Sequence, residues 1–187
     1  MPNQNQSEYD GITVNGNISY GGNNQFGVYR TTVGLKTKPY VAFTFAFGSE
    51  NGINYRKERE NITVKVVGAN GNTYYNGNVP AYEADSEGNY IDLVNTANGC
   101  TWINRAENVR YHLLKLENIN VQDLTDEITV TISYGEKDVT SQFSLGGFAK
   151  NYSINYTNTG SNYYLARANA VKALIYYSDA LKARYGA

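Results

Sequence analysis

The segment Tyr40–Phe47 constrains the fold more strongly than any other part of the chain, because large apolar residues occur at every second position. One face of the segment carries Val41, Phe43, Phe45 and Phe47. This period of two is the pattern of a β-strand that covers a hydrophobic core with one side. We therefore expect Tyr40–Phe47 to lie at the centre of the core.

Other strand-like runs, several of which show this alternation, are separated by segments rich in glycine and asparagine. They are Ile12–Tyr20, Phe26–Val33, Asn61–Val67, Tyr90–Val94, Cys100–Asn104, Arg110–Glu117 and Glu127–Tyr134. A turn is predicted after the last of them, at Gly135-Glu136-Lys137-Asp138. Since no long helical pattern interrupts these strands, they favour antiparallel pairing over a parallel sheet. The sequence predicts a mainly β protein with an antiparallel β-sandwich.

The period of the apolar residues changes near Ser144. Spacings of three and four residues predict a short helix at about 144–152 and a longer one at about 162–184. Tyr176 and Tyr177 are adjacent in the longer helix and cannot both face the core, so one of them should cover the sheet edge or meet a neighbouring domain. We expect a flexible arm at residues 1–10 and a single domain at 11–187, whose sandwich is closed by the C-terminal helical pair.

Eighteen tyrosines stand against a single histidine and a single cysteine. Catalysis near neutral pH usually needs a poised histidine, thiol or carboxylate pair. His112 alternates with leucines on a predicted strand, which is typical of a structural histidine. A Cys100–His112 dyad is an alternative, but no spacing supports it. One histidine and one cysteine also exclude a zinc site of soft ligands. The composition therefore predicts a protein that acts through its contact surface and is not an enzyme.

Carboxylates are the remaining route to catalysis, since a glycosidase needs two of them about 5–9 Å apart. Two clusters occur in the sequence: Glu83, Asp85, Glu87 and Asp92, and then Asp123, Asp126 and Glu127. Acids in loops usually face solvent. The stretch Asp85-Ser86-Glu87-Gly88-Asn89 alternates oxygen-bearing side chains with a glycine, as calcium requires. One interpretation of this stretch is a structural calcium held by Asp85, Glu87 and Asn89, and the alternative is an acidic turn.

Aromatic residues in polar, glycine-rich surroundings are the candidate binding residues. The candidates are Trp102, Tyr74, Tyr75, Tyr82 and Tyr90, with Asn104 and Arg105 beside the tryptophan. An aromatic plate flanked by amide or guanidinium groups can stack on a sugar ring and bind its hydroxyl groups. A protein partner would use the same residue types. A third interpretation places Trp102 and most of these tyrosines in the core.

Net charge and hydropathy narrow the classes of partner. The net charge of −1 and the pI of 5.9 argue against nucleic acid, which usually requires a basic surface. No run of about 20 apolar residues exists, so membrane insertion is not expected. The 25 asparagines and the 18% of charged residues are typical of bacterial extracellular modules. We expect an extracellular or cell-surface location and adjacent domains in a larger chain, with a cytosolic protein as the alternative.

Three segments carry a resemblance to a known class of proteins. They are Thr125–Ile132, Phe143–Phe148 and Val171–Lys182. In this order they resemble modules of secreted, multi-modular surface and carbohydrate-active proteins of anaerobic Gram-positive bacteria. Gly146-Gly147 departs from that pattern and puts the short helix in doubt. The resemblance implies architecture and location more than activity. The abundance of tyrosine and asparagine without a catalytic set favours a non-catalytic extracellular module that binds polysaccharide reversibly through exposed aromatic residues. The alternative is a structural or adhesive module that contacts protein.

Overall fold

A computed structural model shows how the chain folds, and it describes residues 12–16, 25–35, 39–81, 86–87, 93–97, 99–104, 111–117, 119–144 and 162–185. The predicted arm at residues 1–10 lies outside these ranges. Over the described residues the chain is mainly β, with antiparallel sheets and one C-terminal helix. Among the described residues, no helix is both long enough and apolar enough to cross a membrane.

The larger sheet has six strands in the order β1-β2-β3-β10-β9-β8, and every neighbouring pair is antiparallel. Its strands are β1 (Ile12–Gly16), β2 (Phe26–Leu35), β3 (Pro39–Phe47), β8 (Leu93–Ala97), β9 (Cys100–Asn104) and β10 (Tyr111–Leu116). The strand predicted from Tyr40–Phe47 is thus confirmed as β3, and it lies between β2 and β10 near the middle of the sheet.

The second sheet has four strands in the order β12-β11-β6-β7, and a short two-stranded sheet joins β4 to β5. These strands are β4 (Ser49–Glu50), β5 (Ile53–Asn54), β6 (Ile62–Gly68), β7 (Thr73–Asn78), β11 (Ile128–Tyr134) and β12 (Lys137–Phe143). A tight turn joins β11 to β12, where Gly135 has a φ of +58°, a left-handed conformation that glycine adopts without strain. The predicted turn is confirmed there, but β12 was not predicted.

Register places the largest apolar side chains of both sheets in one core. In the six-stranded sheet Phe43 pairs with Leu114 and Phe45 with His112; all four side chains are fully buried. The four-stranded sheet contributes its alternate residues, namely Ile62, Val64, Val66, Ile128, Val130 and Ile132. The Phe43 ring meets Phe143 edge-on with centroids 6.3 Å apart, so aromatic contacts connect the two sheets.

The C-terminal helix α1 (Asn162–Tyr185) confirms the longer predicted helix. It packs against the 3₁₀ helix Val121–Thr125 and near β1. The shorter predicted helix at about 144–152 lies outside the described residues, apart from Ser144, which is not helical. The described part of the chain therefore contains one α-helix, and the predicted C-terminal helical pair is not shown.

Side chains spaced four residues apart attach α1 to the sheet domain. Leu174 enters the core, and the buried Ser178 Oγ donates a hydrogen bond of 3.2 Å to the carbonyl oxygen of Gln122. One turn later, Lys182 Nζ binds both Thr125 Oγ1 and the Asp126 carboxylate. Because i and i+4 positions lie on the same side of a helix, these contacts fix which face of α1 points inward.

Candidate functional site

Trp102, the leading candidate for a sugar-stacking plate, lies in the core with none of its surface exposed. Its strand position opposite Leu114 turns the indole inward. There the ring centroid lies 5.6 Å from that of Phe45 and 5.5 Å from that of Tyr75. A fully buried ring has no face left for a ligand. The prediction that Trp102 is an exposed contact residue is therefore wrong, and the interpretation that places it in the core is confirmed.

Tyr74 and Tyr75, also predicted to bind ligand, are held by the protein itself. Tyr75 is buried, and its hydroxyl donates a hydrogen bond of 2.8 Å to the carbonyl oxygen of Asn78. Tyr74 is half-buried, and its hydroxyl donates to the Asp123 carboxylate. Burial, together with that hydrogen bond, raises the pKa of Tyr74 well above its ordinary value. Neither ring forms an open plate next to Trp102.

The remaining predicted ligand residues fall mostly outside the described ranges. Tyr82, Tyr90 and Arg105 lie there, as do Asp85 and Asn89 of the predicted calcium loop. Asn104 ends β9 opposite His112, and its side chain is not described. Glu87 is exposed in a turn. Among the described residues, no three acidic, histidine or cysteine side chains come together as metal ligands do. Calcium binding and the roles of these side chains stay predictions.

The register separates Cys100 from His112. His112 lies opposite Asn104, and Asn104 is four positions, or about 13 Å, along β9 from Cys100. Both side chains are buried, and the His112 ring packs 4.8 Å from Phe47. The Cys100 thiol donates to the carbonyl oxygen of Tyr74 at 3.3 Å, and burial raises its pKa to about 11. A thiolate nucleophile with His112 as its base does not fit this geometry.

The second carboxylate cluster also has structural partners. Asp123 is buried and accepts hydrogen bonds from Tyr74 and, at 3.0 Å, from Asn70 Nδ2. Asp126 forms an ion pair with Lys182 on α1. Glu127 accepts from Gln142 Nε2 at 2.7 Å. The three acids therefore join elements of the fold to one another. In the first cluster, Glu83, Asp85 and Asp92 lie outside the described residues.

Three aromatic side chains on α1 are largely exposed to solvent. Tyr176 is 73% exposed, Tyr177 57% and Tyr185 68%, and no other large apolar side chain of known burial in the described ranges is as exposed. The sequence predicted that Tyr176 and Tyr177 would not both face the core, and that one of them would cover the sheet edge or meet a neighbouring domain. Both rings are exposed, and contact with a neighbouring domain stays a prediction. The reason for their exposure is that Leu174, Ser178 and Lys182 form the attached face, and Tyr176 lies on the opposite side of the helix.

We call the exposed side of α1 the outer face. It consists of Asn169, Lys172, Ala173, Tyr176, Tyr177, Asp179, Ala180, Ala183 and Arg184, all of which are exposed. Two aromatic rings, three alanines and three charges on one helix give a convex surface with apolar and charged parts. The spacing of Leu174, Ser178 and Lys182 could have indicated this face from the sequence, but a serine and a lysine do not look like inward-facing residues.

Comparison with protein-family models, with curated protein sequences and with solved structures found no significant match for this chain. The resemblance of the C-terminal third to bacterial surface modules therefore stays a prediction.

Proposed function

We propose that this chain is a non-catalytic, extracellular protein-interaction module whose outer face on α1 contacts the partner. In this proposal the two larger sheets pack face to face as a β-sandwich, and α1 is presented on that scaffold. The aromatic contacts between Phe43 and Phe143 and between Trp102 and Tyr75 support such packing. A tightly packed scaffold favours binding, because it limits the entropy lost when a partner docks.

The observation that carries the proposal is the exposure of Tyr176 and Tyr177 on an anchored helix. Tyrosines are enriched at protein interfaces, where a ring supplies apolar area and a hydroxyl supplies a hydrogen bond. Leaving two adjacent rings in water has no benefit for the stability of the core, which Leu174 and Ser178 already contact. The outer face therefore fits a role in recognition.

Shape favours a protein over a polysaccharide. A single helix is convex, whereas a sugar binder needs a groove or a flat plate edged by amide and charged side chains. Trp102 and Tyr75, which would have formed such a plate, are in the core. The helix surface suits the groove or helix face of another protein, the arrangement of an amphipathic helix that docks by residues one turn apart.

A photoreactive phenylalanine analogue placed at position 176 tests this proposal in the cells that make the protein. Lys65 is exposed on β6, far along the chain from α1, and the same analogue at position 65 is the matched control. We expect polypeptide adducts from position 176, none from position 65, and loss of the adducts when Tyr177→Ser is added.

Affinity electrophoresis through gels that contain soluble polysaccharides provides the opposing measurement. The proposal predicts unchanged mobility in every gel. Retardation by one polymer that Tyr176→Ala abolishes would instead make the outer face a sugar-binding surface. Retardation that persists in Tyr176→Ala would return the binding site to the predicted Tyr82, Tyr90 and Arg105 region. Repeating the gels with EDTA tests the predicted calcium.

A further inference from the structure

Exposed residues on α1 recur at alternating spacings of four and three. They are Asn169, Ala173, Tyr176, Ala180 and Ala183, all exposed. At 3.6 residues per turn these positions form one nearly straight stripe, about 21 Å long at a rise of 1.5 Å per residue. The single large side chain, Tyr176, has alanines at 173 and 180 as its neighbours along the stripe. Small residues beside a large one let a second helix approach closely.

Charges lie along one side of this stripe. Lys172 and Asp179 are exposed seven residues apart and carry opposite signs. Neither forms a salt bridge within the part of the chain that the structure describes. The other side of the stripe carries Tyr177 and Arg184. Two turns of helix separate Lys172 from Asp179 by about 10 Å, too far for an ion pair with each other, so each charge is available to a second molecule.

We propose that the outer face of α1 pairs with the same face of a second copy of this chain, with the two helices antiparallel. This inference rests on the proposed function and names the partner. In an antiparallel pair with heptad-like packing, Tyr176 of each copy lies against Ala173 of the other. The same alignment of the two helices brings Lys172 of each copy close to Asp179 of the other. Because the pair has two-fold symmetry, each of these two contacts occurs twice.

The pattern of charges distinguishes this arrangement from its alternatives. In a parallel pair, the side of the stripe that carries Lys172 and Asp179 faces the side of the second helix that carries Tyr177 and Arg184. Lys172 would then lie near Tyr177 of the other copy and away from its Asp179. Antiparallel helices also align their dipoles favourably. A two-fold interface must be complementary to itself, and the outer face meets that requirement in size, with Tyr176 against Ala173, and in charge.

The size of the face determines the strength of the contact. A stripe of about 21 Å on one helix covers less than the roughly 800 Å² that each partner buries in a standard stable interface. The dimer is therefore weak, forms at high local concentration, and is suited to molecules crowded on one surface. Exposed ion pairs are screened by salt, so dimerisation weakens as ionic strength rises.

Charge exchange tests the pairing directly. The full chain is followed by sedimentation velocity at low salt over a series of concentrations, with Lys172→Asp, Asp179→Lys and the double variant. Each single change puts two like-charged pairs into the interface, and we expect the dissociation constant to rise at least about fivefold. The double variant restores both pairs with exchanged signs and returns to the wild-type value. Lys65→Asp and Asp138→Lys, on exposed strand positions, are controls and leave dimerisation unchanged.

The outcomes separate this inference from the proposed function. A chain that stays monomeric at every concentration, or a double variant no tighter than the single ones, overturns self-pairing. If position 176 still crosslinks to a different polypeptide in that case, the proposed function survives without the second copy. Loss of both self-association and crosslinking removes both proposals. Tyr176→Ala sharpens the positive result, because removal of the central ring should weaken the dimer at least about tenfold.

Discussion

Two groups of aromatic residues in this molecule have the same chemistry and opposite surroundings. Trp102 and Tyr75 lie in the core at the contact between the sheets, and Tyr176 and Tyr177 lie on the outer face of α1 in water. The strand register of β9 and β7 turns the inner rings toward the core. The outer rings face water because the opposite side of α1 contacts the sheet domain. The comparison shows that the exposure of an aromatic side chain depends on the contacts made by neighbouring residues of the same strand or helix as much as on its own polarity.

The largest expected difference between the two groups is in stability. Trp102→Ala removes a fully buried indole and leaves a cavity between the sheets, so the free energy of unfolding should fall by about 3–5 kcal/mol. Urea unfolding followed by circular dichroism measures this loss. A loss under about 1 kcal/mol would show that Trp102 is not packed between the sheets and would restore it as a candidate plate.

Alkaline pH tests the inner group without a change to an aromatic ring. The buried Cys100 thiol has its pKa raised from 9.0 to about 11, so the folded chain holds a proton that the unfolded chain releases. The free energy of unfolding should therefore fall as pH rises from about 9 to 11, by up to about 2–3 kcal/mol. Unfolding titrations at successive pH values measure the slope. Burial raises the pKa of Tyr74 and Tyr75 as well, so these groups add to the slope above about pH 10. Cys100→Ala should therefore reduce the slope, most clearly between about pH 9 and 10, and an equal slope in both proteins there would contradict the assignment.

Tyr74 lies between the two groups, since its ring is half-buried and its hydroxyl binds Asp123. Tyr74→Phe removes that donor and leaves the buried carboxylate with Asn70 as its remaining hydrogen-bond donor among those described. We expect a loss of about 1–2 kcal/mol in urea unfolding. Tyr177→Phe is the matched change on the outer face and should cost nothing measurable. An equal loss of unfolding free energy in Tyr74→Phe and Tyr177→Phe would show that the hydrogen bond from Tyr74 to Asp123 does not stabilise the fold.

The outer group should show the smallest effect on stability. Tyr176→Ala and Tyr177→Ala remove exposed rings, so each should change the free energy of unfolding by less than about 0.5 kcal/mol. The same urea titrations give the value. A loss of about 2 kcal/mol from either change would show that the ring supports the fold, and the outer face would no longer be a surface free for recognition.

Strands with one clear apolar face could be predicted from the sequence. Tyr40–Phe47 and Glu127–Tyr134 alternate large apolar residues with smaller or polar ones, and both are strands. The strand β12 was not predicted, because between Lys137 and Phe143 only Val139 is apolar. The predicted strand Tyr90–Val94 ends three residues before β8 does, since Asn95, Thr96 and Ala97 of β8 are not large apolar residues.

The candidate site was harder to predict than the fold. In Cys100–Asn104, one side carries Cys100 and Trp102 and the other Thr101 and Ile103, so alternation alone does not show which side faces the core. Pairing with Leu114 determines it, and pairing partners are distant in sequence. On α1, inward contact is made partly by Ser178 and Lys182, which a hydropathy pattern assigns to the surface.

The composition of β12 has a consequence for aggregation. Among the described strands β12 is an edge of the four-stranded sheet, where exposed backbone groups can recruit strands from other molecules. Lys137, Asp138 and Gln142 place charged and amide groups along it, and the residues between them are mostly hydroxylated. Charge on an edge strand discourages the stacking of sheets that leads to fibrils. The polar composition that made β12 difficult to predict from the sequence therefore also disfavours aggregation of these molecules by addition of strands at this edge.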